Sequence, residues 1–210
     1  MTENRPPTAA PMGEDLWSQL PELLTGAETS QEARERVITL LYPELKRIAE
    51  AHMRRERRDH TLQATALVSE FFVHMVDHPA FTARTRAQFL KMASIAMRHL
   101  LVDYARARSA EKRGGHCVRV EIESADASEA SQVFDILVID DLLKQLAESD
   151  PRLAQVVELR FFGGLTNSEI GDVLGIHERT VKRDWQIARA WLYSRLRRDE
   201  ADVARGLGTD

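Results

Sequence analysis

A single cysteine, Cys117, stands in the 210 residues, so no intrachain disulfide can form and a disulfide-stapled secreted scaffold is excluded. No apolar run approaches the roughly 18–20 residues that span a bilayer. Residues 1–13 are polar and proline-rich rather than signal-like, and read as a disordered tail. Only 6% of residues are aromatic and alternating Val/Ile/Thr stretches are scarce, which argues against a β architecture. Phosphate-gripping glycine loops that end in Lys-Ser/Thr are missing, and no nucleophile–base arrangement stands out. His74 and His78 have a metal-compatible spacing, but Pro79 follows at once and no third ligand is evident; His116 and Cys117 are adjacent, a poor geometry for one ion. The expectation is therefore a cytoplasmic protein that is not an enzyme and has no metal or cofactor.

What is present is charge and helical periodicity. Charged residues make up 30% of the chain and hydrophobic ones 43%, a balance suited to globular helical domains. The net charge of −4 argues against a nucleic-acid partner only until its distribution is read. Lys46–His60 carries six basic and three acidic residues, Arg98–Arg119 six and two, and Glu178–Arg198 seven and two. Val120–Asp135 holds five acids and no Lys or Arg. Such segregation lets an acidic protein offer cationic faces to phosphate, although charge runs are often no more than solvated helix faces.

Along the chain, Leu16, Trp17, Leu20, Leu23 and Leu24 make a short amphipathic stretch interrupted by Pro21. Apolar spacing predicts a helix over Gln31–Arg55, kinked or split by Pro43 near Tyr42. A second follows over Thr65–Val76, and a third over about Arg86–Ala110 with Thr85 as its N-cap. The first part of that third helix is apolar nearly all round, as expected of the buried centre of a domain, and its second part turns basic before Gly114-Gly115. Glu121–Gln132 has no apolar period and reads as a linker. Beyond it, Ile139, Leu142, Leu143 and Leu146 mark another helix, and Asp150-Pro151 is a cap followed by a proline at the first helical position.

Thr166-Asn167-Ser168-Glu169 has the form of a capping box opening a short helix, Asn167–Leu174. Gly171 lies where a second helix would cross closely, and Gly175 ends the first with a tight turn. Ile176 and Val181 then plug the core beneath a helix over about Glu178–Arg198. The pattern is that of a helix-turn-helix. Its exposed front comprises Glu178, Arg179, Lys182, Arg183 and Gln186, cations able to meet phosphates or guanine acceptors in a major groove. Asp184 is unfavourable near phosphate and should face away or pair with a neighbouring arginine, and His177 is an unusual N-cap. A helical hairpin that merely packs is the competing reading of the same spacing. Trp17, Trp185 and Trp191 read most simply as core.

Here the residues resemble a known family. Leu159–Thr166, Glu169-Ile170-Gly171, Leu174-Gly175-Ile176 and Thr180-Val181-Lys182, with the trailing Ala188–Leu192 and Leu196, resemble region four of sigma-70-class sigma factors. The front half is similar to region two of the extracytoplasmic-function (ECF) group, through His60–Val68, Leu101–Arg106 and Lys112–Gly115. The resemblance covers roughly residues 14–200. It implies an all-α protein of two small helical domains, 14–118 and 136–200, joined by an acidic linker at 119–135 and flanked by tails at 1–13 and 201–210.

The resemblance also implies roles. The partners would be core RNA polymerase and promoter DNA, with an anti-sigma factor as a further candidate. Leu67, Glu70, Phe71 and His74 would belong to the polymerase-facing surface. Arg98, Asp103, Arg106, Arg108, Lys112 and Arg113 would face the −10 element, and Arg179, Thr180, Lys182, Arg183 and Gln186 the −35 element. Two departures stand out. Ala66–Phe72 replaces the group's Asp-Leu-x-Gln-Glu-x-Phe phrase, and the usual melting aromatic is absent, with Phe89 and Tyr104 the nearest candidates. About ten residues follow the last expected helix, too few for a further domain. The alternative function is a stand-alone helix-turn-helix regulator, which would bind duplex DNA without polymerase and usually as a dimer.

Overall fold

A computed structural model describes residues 19–23, 30–55, 63–77, 83, 85–111, 119–122 and 132–206 of the chain. The tail 1–13, Trp17, Lys112, Arg113, His116, Cys117 and most of the acidic segment lie outside the described residues. A helical turn, α1, occupies residues 19–23 and buries Leu20 completely. Helices α2 (Gln31–Arg55), α3 (Ala64–Asp77) and α4 (Arg86–Glu111) follow. Then come α5 (Ile136–Ser149), α6 (Pro151–Val157), a π-helical turn (Glu158–Phe162), α7 (Asn167–Leu174) and α8 (Glu178–Gly206).

Pro43 neither splits nor ends α2, which runs unbroken past it. A proline removes one donor and crowds the preceding turn; the burial of Leu41, Leu45 and Ile48 on either side holds the helix through that defect. Thr85 caps α4 as expected, its Oγ1 accepting from the Gln88 amide at 3.2 Å. Asp150 caps α6, accepting from Arg152 and Leu153 with Pro151 at the first turn. The last helix extends beyond its expected end, through Gly206 into the segment read as a tail.

The described parts of the acidic segment carry regular structure. Its two ends form strands β1 (Arg119–Ile122) and β2 (Gln132–Asp135), paired antiparallel with Val120 opposite Phe134 and Arg119 opposite Asp135. β1 alternates polar and β-branched residues over only four positions, and β2 sets Val133 and Phe134 side by side between polar ends, so neither gives a period-2 signal that stands out beside the Ser/Ala/Glu/Asp run. Asp135 ends β2 and starts α5, its carboxylate accepting from the Leu137 amide. Apart from this ribbon the described fold is all-α.

One hydrophobic core runs through both halves. Phe71, Phe89, Leu90 and Met97 fill the front bundle, and Ile136, Ile139, Leu143 and Phe162 the rear one. The two meet where α4 lies against α5, α7 and the π-helical turn. The seam is tight. A Cβ on Gly164, whose φ is +60°, would come 2.6 Å from the Ala51 Cβ, and one on Gly163 would collide with the Ser94 side chain. His52 is buried in the same seam, edge-on to Phe161, with its Nε2 hydrogen-bonded to the Phe162 carbonyl.

Candidate nucleic-acid interface

The rear half builds its presenting helix from the turn upward. Thr166 Oγ1 accepts from the Glu169 amide at 3.2 Å, and Glu169 Oε2 accepts from the Thr166 amide at 2.9 Å, so both halves of the capping box form. At the far end of α7, Gly175 adopts φ 66°, the left-handed conformation that lets the chain reverse. Gly171 is the crossing point: a Cβ there would stand 2.6 Å from the Ile176 carbonyl oxygen. His177 starts α8 with its own ring, Nδ1 accepting from the Arg179 amide at 3.1 Å, so imidazole does the work usually left to Ser or Asp.

Val181, Asp184, Trp185, Ala188 and Leu192 point α8 into the core. The opposite face presents Arg179, Lys182, Arg183 and Gln186 to solvent, with Thr180 half-buried at its side. Asp184 is fully buried and pairs with Arg152 at 2.8 Å, which withdraws the one acid inside this cationic stretch from the outer face. Trp185 is core, with the Arg160 guanidinium 5.0 Å above its ring. Ile187 is an exposed member of the same face that charge reasoning passed over.

Front-half residues divide differently from expectation. Leu67 and Phe71 are buried core residues and cannot form a docking surface; they anchor α3 to α2 and α4. Glu70 is exposed and His74 half-buried, so the outward face of α3 is set by Glu70, His74 and Val73, the last 59% exposed. Val73 was missed because an apolar residue in an apolar helix carries no signal of its own. Phe89 is completely buried and unavailable as a melting aromatic, whereas Tyr104 is half-buried and accepts from Arg108 at 3.0 Å.

Arg106 is exposed and lies 3.3 Å from Asp103, and Arg108 is half-buried. Arg98 is different: its side chain is only 14% exposed, and it is held by two carboxylates of the rear half, Asp140 at 2.7 Å and Glu158 at 2.9 Å. A second ionic cluster joins the halves through Glu169. Its Oε1 accepts from Arg47 at 3.1 Å and from Arg86 at 2.9 Å, while both arginines also pair with Glu44.

Burial pushes the Asp140 carboxyl upward, but hydrogen bonds from Lys144 and Arg98 outweigh it and hold the group below its ordinary range. Burial likewise raises Glu169, and the Thr166 amide, the Arg47 charge and the Arg86 hydrogen bond reverse the shift. A carboxylate with a depressed folded pKa contributes stability in full above its unfolded value, about 3.9 for Asp and 4.3 for Glu. That contribution disappears as the pH falls through the folded value. Denaturation midpoints measured at successive pH values should therefore fall below about pH 4.5, and Asp140→Asn should flatten part of that fall. An identical acid profile in the variant would remove Asp140 from the account.

A cationic helix-turn-helix beside a second, largely helical bundle defines a DNA-binding transcription protein. The family described as ECF sigma factor matches residues 20–198, and the chain belongs to it. It is thus a sigma factor for transcription initiation, with core RNA polymerase and promoter DNA as its partners. No curated protein matches the chain. A solved structure with some similarity is that of CnrH in complex with the cytosolic domain of CnrY. It is 19% identical, with a TM-score of 0.37 over 86% of this chain and 99% of that one, too slight a likeness to bear on the helix arrangement here. No helix among the described residues is long and apolar enough to cross a membrane.

Proposed function

We propose that the rear half reads the −35 duplex through α8 while the front half holds the −10 element, both riding on core polymerase in the cytoplasm. The observation that carries this reading is the face of α8. Arg179, Lys182, Arg183 and Gln186 all point outward from a helix whose angle is fixed by Gly171 and Gly175, and the intervening acid is turned inward. Arginine and glutamine suit the bidentate acceptors and donors of guanine and adenine in the major groove, and lysine reaches base or phosphate oxygens. Thr180, half-buried at the edge of this face, would meet the DNA backbone. On the front half, the exposed Arg106 and the half-buried Arg108 offer the cations, and the outward face of α3 with Glu70, Val73 and His74 is the polymerase-docking candidate.

The test is run-off transcription with purified core polymerase and a library of promoter fragments. Selected promoters should share a −35 motif. Lys182→Ala or Arg183→Ala should weaken recognition by about 1–3 kcal/mol, with relaxed preference at one base if the side chain reads that base. A uniform loss across sequences with a shallower salt dependence would identify a phosphate contact instead. Unchanged promoter use by both variants would take α8 out of the reading.

A further inference from the structure

We propose that Ile187 sets base preference in the −35 element by packing on the C5 methyl group of a thymine in the major groove. The inference rests on the reading of α8 given above and deepens it from a face to a base.

Ile187 is 49% exposed, an isoleucine set beside polar and cationic side chains. The other large hydrophobics exposed among the described residues, Ile38, Val73 and Val138, lie on α2, α3 and α5. The packing of α8 does not call for an apolar residue here, because the helix is already seated by the buried Val181, Trp185, Ala188 and Leu192. Helix propensity does not call for it either. A β-branched residue forms helix less readily than arginine, lysine or glutamine.

Ile187 follows Arg183 by one turn, about 6 Å along the axis and about 40° around it. It therefore shares the side of α8 that Arg179, Arg183 and Gln186 present. Charge changes along that side. Its first turns carry Arg179, Lys182 and Arg183, whereas the exposed residues from 186 to 194 are Gln186, Ile187, Ala190 and Ser194. Ser194 turns its hydroxyl back onto the Trp191 carbonyl at 2.7 Å. A strip without charge is ill suited to phosphate and well suited to base edges.

The apolar group on the base edges of the major groove is the thymine methyl, and apolar side chains are the ones that meet it. Cytosine in its place presents an amino donor that isoleucine cannot satisfy. Isoleucine in a helix is held close to one χ1 rotamer, so the contact costs little side-chain freedom. Gln186 beside it offers the amide that pairs with adenine, so the neutral strip as a whole favours A·T pairs.

The experiment uses the full chain with core polymerase and a promoter carrying the −35 motif that wild type selects. Each thymine of the motif is replaced in turn by deoxyuridine, which keeps the hydrogen-bonding edge and removes the methyl alone. Promoter binding is measured for wild type and Ile187→Ala, with the thermal midpoint and the affinity for polymerase without DNA recorded for both.

At one thymine, deoxyuridine should weaken wild-type binding about fourfold, the worth of one buried carbon. Ile187→Ala should be nearly indifferent to the same replacement and keep the wild-type midpoint. A wild-type series with no sensitive thymine overturns the proposal. So does an equal loss in both proteins, which would assign the methyl's effect to DNA shape. A midpoint well below that of wild type would make Ile187 a packing residue, and a loss of polymerase affinity without DNA would seat it on the enzyme; either result overturns the proposal. If wild type selects no −35 motif, the α8 reading fails and takes this inference with it, whereas a selected motif indifferent to thymine methyls sinks this inference alone.

Discussion

Phe162→Ala should cost about 3–5 kcal/mol of folding stability, the range for truncating a fully buried phenylalanine. At about 2–4 °C per kcal/mol for a chain of this size, the thermal midpoint should drop by roughly 6–20 °C. The reason is position as much as volume. Phe162 is completely buried, meets Phe161 edge-on at 4.9 Å, tilts against His52 at 5.9 Å and lies beneath Arg98. Its removal opens a cavity where the two halves touch, beside charged groups that tolerate water. Calorimetry with chemical denaturation would measure the loss. A change below about 1 kcal/mol would mean that the seam contributes little to holding the chain together.

Gly171→Val should be nearly as damaging but confined to the rear half. Even the first carbon of the new side chain would lie 2.6 Å from the Ile176 carbonyl oxygen. That oxygen belongs to the turn and cannot rotate aside as a flexible side-chain tip could. Relief requires α7 and α8 to move apart, at a cost of about 1–3 kcal/mol for overpacking and sometimes more. The recognition face would then be set at another angle, so promoter binding through the −35 element should fall more than tenfold. The front bundle should keep its helicity. Wild-type −35 affinity in this variant would show that the helix crossing is not what sets the reading face.

Much of the rear half was legible in the sequence because each local choice there agreed with the global one. Thr166 and Glu169 announced the start of α7, Gly175 its end, and Asp150-Pro151 the start of α6; all three take the geometry their chemistry suggests. Electrostatics alone has Asp184 facing away or pairing with a neighbouring arginine, whereas its main partner is Arg152, 32 residues away in sequence. Helix existence in the front half was equally plain. Its surface was not, because periodicity marks a stripe without saying which members of an apolar helix reach solvent. Leu67 and Phe71 went inward and Val73 outward for that reason.

Arg98 illustrates a deeper limit. As one of a series of cations on a basic helix it reads as a DNA contact, and nothing nearby in sequence predicts otherwise. Its partners lie 42 and 60 residues downstream and are brought to it only by tertiary packing. The same holds for Glu169, whose role in capping is local and whose grip on Arg47 and Arg86 spans more than 80 residues. Short strands were lost to composition: Arg119–Ile122 and Gln132–Asp135 are four residues each and sit at the margins of a run with no apolar rhythm.

The ribbon those strands form makes the leash between the halves adjustable. Paired, it sets Arg119 opposite Asp135. Unzipped, residues 119–135 would pay out to roughly 56–61 Å at full stretch. Only a short stack of backbone hydrogen bonds stands between the paired ends and that span, so the ladder sets how far the two halves could part.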